Sequence, residues 1–130
     1  MISASDIAVR AALNLLVGQI AASAPRPLVD DRVRVGDIVA DVAWRTGLKR
    51  DDIIGPGRHQ VHFRARVAVC WLAIDGKVAS LSQIGAVLGG RDHSTILAAG
   101  RRGDDMRSRD PAFRMLTDRL RQKYRDLKEH

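Results

Sequence analysis

Gly89-Gly90 stands between two short apolar runs and is followed at once by Arg91 and Asp92. No other feature constrains the chain as much. Paired glycines accept backbone angles with φ > 0 that side chains resist, so the chain turns sharply there. Before the turn, Ser80 is placed to cap a helix over 81–88 that carries Ile84 and Leu88. After it, Asp92 is placed to cap a second helix carrying Ile96 and Ala99. Ser and Asp suit these positions because their side chains accept from orphan N–H groups of a first turn. Two short helices packed through those four residues across a glycine turn give the outline of a helix-turn-helix.

The rest of the chain is helical in pattern. Asp37 to Thr46 carries Ile38, Val39, Val42 and Ala43 on one face, and Gly47 ends it. Leu48 to Ile54 reads as a short turn of helix, broken by Gly55-Pro56-Gly57. Val61 to Ile74 places Val61, Ala65, Ala68 and Leu72 in register, and Asp75-Gly76 turns. A last helix has Asp110 as cap, Pro111 in its first turn, and a stripe of Phe113, Leu116, Leu120, Tyr124 and Leu127. No strand pattern, repeat or low-complexity tract is present. The expected fold class is all-α, a helical bundle containing a helix-turn-helix, with an extra N-terminal helix.

That first helix spans about 1–24, with Val9, Leu13, Leu16 and Ile20 at helical spacing. It reads either as core or as a homodimer or partner surface through residues 5–22, because the apolar arc is wide. Ala22-Ser23-Ala24 has the small-x-small look of a cleavage site. Asp6, Arg10, Asn14 and Gln19 interrupt the apolar run and no basic residue precedes it, so neither a signal peptide nor a membrane span is expected. Ala24-Pro25-Arg26-Pro27 breaks the helix, and residues 25–34 read as a linker to a domain over 35–130. Asp6 and Asp30 balance Arg10 and Arg26, so the net charge of +7 lies in residues 31–130. A basic domain of this kind favours polyanionic partners.

The start of the second helix of the motif is chemically distinctive. Arg91, Asp92, His93, Ser94 and Thr95 are consecutive polar residues, each short or able to hydrogen-bond. In a helix-turn-helix this end faces the major groove. Asp92 can cap, or accept from a cytosine amino group; His93 and Ser94 can reach base edges; the Thr95 methyl can touch a thymine methyl. The same residues also fit a capped, solvated first turn. Spacing alone leaves both readings open.

Gly-Gly-Arg-Asp-His-Ser-Thr-Ile-Leu-Ala-Ala over 89–99 resembles the signature of the DnaA C-terminal DNA-binding domain, a TrpR-like helix-turn-helix. Ser-Leu-Ser-Gln-Ile-Gly over 80–85 fits the first helix of that motif. Residues 63–72 are similar to the family's arginine-led long helix, and Val35 to Ile54 to its opening helices. The resemblance implies double-stranded DNA as partner, at an A·T-containing box related to the DnaA type. It implies Asp92, His93, Ser94 and Thr95 in the major groove and Arg64 in the minor groove, where a narrow A·T-rich groove attracts a guanidinium. It implies phosphate contacts from Arg58, Arg66, Lys77, Leu81, Ser82 and Arg91. Ser82 and Ala65 replace frequent prolines, His62 and Phe63 replace smaller residues, and Gly103 stands where the family places an apolar side chain.

No Gly-x-x-x-x-Gly-Lys-Ser/Thr phosphate loop occurs. The expectation is a reader without its motor, not an enzyme, with no catalytic residues and no cofactor. His59 and His62 lack a nearby third ligand, so no metal is expected, and the lone Cys70 excludes an internal disulfide and reads as a small buried hydrophobe. Asp51-Asp52 and Asp104-Asp105 read as helix-end or surface charges. The expected function is a transcription regulator, an activator acting with a transcription-machinery partner, similar to gene-transfer-agent and prophage activators that use such readers. The alternative is a replication modulator that competes with the initiator at origin boxes. Either would be cytoplasmic and nucleoid-associated.

Overall fold

The computed structural model describes residues 32–128. The expected helix over 1–24, its partner surface at 5–22 and most of the linker at 25–34 lie outside the described residues. Six helices follow in order: α1 (Val35–Thr46), α2 (Arg50–Ile54), α3 (Gln60–Asp75), α4 (Leu81–Val87), α5 (His93–Arg109) and α6 (Pro111–Lys128). Among the described residues there is no strand, so the all-α expectation holds.

Two helix starts differ from the sequence reading, for one reason. Asp37 is not the first residue of α1 but its third, reaching back so that the Arg34 N–H donates to Asp37 Oδ2 at 2.9 Å. Asp52 does the same in α2, accepting from the Lys49 N–H at 2.9 Å. A carboxylate inside the first turn also suits the positive end of the helix dipole.

α3 is the central helix. Every residue from Ala65 to Ala73 is buried, so the helix is covered on all sides, by α1, α2, α5 and α6. Ile38, Val39, Val42 and Ala43 close one flank, as their spacing requires. Val61 is a correction: it is 54% exposed, because the first turn of α3 projects beyond the core that covers Ala65, Ala68 and Leu72. On α6, Phe113, Leu120 and Tyr124 are buried, Leu116 packs at the edge, and Leu127 on the last turn stays exposed. The Tyr124 hydroxyl donates to Asp41 Oδ2 at 2.7 Å and fastens α6 to α1; burial and that carboxylate push the phenol above its ordinary range.

Gly103 is explained by the tryptophan opposite. A Cβ there would lie 2.8 Å from both Cβ and Cδ1 of Trp71, so α5 crosses α3 at a distance only glycine permits. Trp71 supplies the bulk that an apolar side chain at 103 would have supplied. Its indole N–H donates to Asp104 Oδ1 at 2.7 Å, and the Arg107 guanidinium lies 4.3 Å from the ring centroid. Asp104 is therefore more than a surface charge. Gly103→Leu is expected to cost about 1–3 kcal/mol by overpacking, read as a lowered midpoint in urea. An unchanged midpoint would show that the crossing can widen freely.

Among the described residues, no helix is long and apolar enough to cross a membrane.

Candidate nucleic-acid interface

The α4–α5 unit forms as the glycine pair requires. Gly89 and Gly90 take φ of 77° and 79°. The turn then doubles back, with the N–H groups of Gly90 and Arg91 both donating to the Gly85 carbonyl at 3.0 and 2.9 Å. Ser80 and Gln83 cap α4 reciprocally, Gln83 N–H to Ser80 Oγ at 3.1 Å and Ser80 N–H to Gln83 Oε1 at 2.9 Å. Ile84, Leu88 and Ile96 are fully buried between the helices, and Ala99 packs beside them.

This packing leaves the first turn of α5 in solvent. Asp92, His93, Ser94 and Thr95 are all exposed. Asp92 is the cap: Oδ2 accepts from the Ser94 N–H at 3.0 Å and also from the Ser94 hydroxyl. Those two bonds hold its carboxyl below the ordinary carboxylate range, with a smaller contribution from His93. His93 Nδ1 lies 3.5 Å from Asp92 Oδ1. The cap thus orients the row of polar side chains, and the His93 side chain is 64% exposed.

Two expected phosphate ligands are corrected. Arg66 is buried, and its Nε donates to the Ile53 carbonyl at 2.8 Å. Its NH2 donates to the carbonyls of Gly55 and Gly57 at 3.0 and 3.1 Å. Arg91 is part-buried and donates from NH1 to the carbonyls of Ile54 and Leu88 at 2.7 and 2.5 Å, and from NH2 to Gly55 at 2.8 Å. The reason is α2. A five-residue helix ending in Gly-Pro-Gly leaves its last carbonyls without helical partners, and cations satisfy them best. The two guanidiniums share Gly55, and burial together with Arg91 lowers the Arg66 pKa. Arg91 thereby ties the residue just before the α5 cap to α2, and Arg66 ties α2 to α3. Both fix the elements around the recognition helix, and the terminal nitrogens of each donate to backbone carbonyls.

The other phosphate candidates lie at the surface. Arg58, Lys77 and Ser82 are exposed and Leu81 is half-buried. Lys77 adopts φ of 52°, a left-handed turn residue that follows Gly76, the C-cap of α3. Leu81 and Ser82 precede the first intrahelical bond of α4, from Ile84 N–H to the Ser80 carbonyl at 2.9 Å, so their N–H groups lie at its open end. Arg64, on the second turn of α3, is half-exposed and pairs through NH2 with Oδ2 of Asp110, the cap of α6. Asp110 was legible as a cap but not as a counter-ion.

His59 and His62 face one another with ring centroids 5.4 Å apart. The described residues hold no group of three or more His, Cys, Asp or Glu placed for a metal. Burial pushes the Cys70 thiol up to about 12, the behaviour of a core side chain rather than a nucleophile.

A family model described as the bacterial DnaA protein helix-turn-helix matches residues 35–102. That span covers α1 to α4 and the first half of α5, more than half of the chain. The chain belongs to the bacterial DnaA helix-turn-helix family. It is 35% identical over 96 residues to the chromosomal replication initiator protein DnaA of Caulobacter vibrioides NA1000, covering 74% of this chain and 20% of that one. It is 34% identical over 104 residues to the same initiator from Rhodopseudomonas palustris BisA53, covering 80% and 21%. The Bifidobacterium animalis subsp. lactis AD011 initiator is 43% identical over 70 residues, 54% of this chain and 12% of its own. The chain therefore spans about a fifth or less of the initiators it matches. The α4–α5 unit is a DNA-binding helix-turn-helix of the DnaA type.

Proposed function

We propose that this DnaA-type domain reads a specific duplex box and acts as a transcription regulator, an activator working with a partner. The observation that carries box reading is the solvent-facing row Asp92, His93, Ser94 and Thr95 at the capped start of α5, held rigidly by Arg91. Rigid placement matters because a base contact tolerates little error in angle or distance. In this reading His93 and Ser94 contact base edges in the major groove, Thr95 contacts a thymine methyl, and Asp92 Oδ1, the oxygen not used by the cap, accepts from a cytosine amino group. Arg64 enters the adjacent minor groove. Arg58, Lys77 and the first-turn N–H groups at Leu81 and Ser82 hold phosphates, which fix register rather than sequence.

The role in transcription is supported by the sequence of residues 5–22, where apolar residues recur at helical spacing, the pattern of a segment that pairs with itself or with a transcription-machinery partner. A second reading, a replication modulator that occupies initiator boxes at the origin, is favoured by the similarity to replication initiators. Crosslinking and immunoprecipitation across the host genome separates the two, with an Arg64→Ala/His93→Ala double variant as control. Peaks at a few promoters that the double variant loses are the expected result. Peaks concentrated at the origin would replace the first reading by the second, and peaks unchanged in the double variant would overturn both.

A further inference from the structure

We infer that Asp110 is an intramolecular brake on Arg64: in the DNA-free protein its carboxylate occupies the guanidinium that the minor groove must capture. The inference rests on the assignment of Arg64 to that groove. Asp110 divides its work between its two oxygens. Oδ1 caps α6, accepting from the N–H groups of Ala112 and Phe113 at 3.1 Å each. Oδ2 holds Arg64. Arg64 can therefore leave without uncapping α6, and the pair can break without unfolding anything.

The surroundings permit that exchange. The pair lies in an open cleft of about 210 Å³ bordered by Gln60, Phe63, Arg102 and Arg109. The side chains of Arg64 and Asp110 are 37% and 25% exposed, unlike the sealed Arg66. Arg102 and Arg109 are paired with Asp105, at 3.7 and 3.1 Å, so neither competes closely for Asp110. The Phe113 N–H and the Arg64 guanidinium keep the Asp110 carboxyl below its ordinary range, so the counter-ion is charged at neutral pH. A guanidinium is drawn into a narrow A·T groove by its charge, and a carboxylate beside it cancels that attraction. Each binding event must exchange one partner for the other, which lowers affinity by what the pair is worth.

Asp110→Asn tests this, because Asn caps a helix about as well as Asp but carries no charge. Affinity for a duplex carrying a DnaA-type box is expected to rise about two- to fivefold, the factor a part-exposed ion pair gives. Asp110→Ser, a second uncharged cap, should give the same gain. In an Arg64→Ala background the gain should vanish. A gain that persists in that background would overturn the brake, because it would then come from general charge. No gain, or a loss, while Arg64→Ala still weakens box binding would also overturn it. Arg64→Ala without any effect on box binding would instead overturn the minor-groove assignment, and the brake with it.

Discussion

Arg66→Ala is expected to lower the unfolding free energy by about 3 kcal/mol, more than any surface change in this domain. The arginine satisfies the carbonyls of Ile53, Gly55 and Gly57 from a buried position. Alanine would take this donor from the Ile53 and Gly57 carbonyls, while Gly55 keeps Arg91, and an orphaned carbonyl at the buried Ile53 costs its desolvation. Arg66→Lys should recover little, because a single ammonium cannot span the fork that reaches three carbonyls. Urea denaturation of the two variants measures this. A loss below about 1 kcal/mol for Arg66→Ala would show that α2 closes its own carbonyls or that water does so. The same variant should bind DNA less well even where it is folded, because Arg91 depends on the Gly55 carbonyl that Arg66 helps to fix.

The two arginines also show where sequence reasoning reached its limit. Helix periodicity located every described element, because apolar spacing and capping residues act locally: Ser80, Asp92 and Asp110 cap where their spacing placed them. The glycine turn was equally local. The family resemblance implies phosphate contacts for Arg66 and Arg91, and nothing in their local sequence contradicts it. Their partners lie 9–14 and 36–37 residues away for the α2 carbonyls, a pairing no local pattern encodes. A signal did exist: α2 ends in Gly55-Pro56-Gly57 with no side-chain cap, and Arg66 stands inside the apolar run Ala65 to Ala73. A buried arginine in a helix next to uncapped carbonyls is a pairing that can be sought. Gly103 was legible as a departure, but its reason, the bulk of Trp71 on the facing helix, needed the crossing geometry.

His93→Ala is expected to weaken binding to a DnaA-type box by about 1–3 kcal/mol, roughly 5- to 150-fold, while hardly changing binding to a scrambled duplex. The side chain stands free of the core, so its removal should leave stability unchanged. Loss of a base contact removes discrimination, whereas phosphate contacts are sequence-independent and remain. Arg64→Ala should act in the same direction but selectively on duplexes with a narrow A·T groove, since groove width sets its attraction. The two losses should nearly add, because the residues address different grooves of the box.

The most direct test of the central claim, that the start of α5 reads bases, is a titration of the intact protein and its His93→Ala variant. Each is measured on the box and on a scrambled duplex over a range of salt. The account predicts parallel, negative salt slopes for both proteins on both duplexes, because the phosphate contacts are the same in each, with a box-specific loss for the variant. Equal losses on box and scrambled duplex would contradict it and reduce the row Asp92 to Thr95 to a solvated first turn.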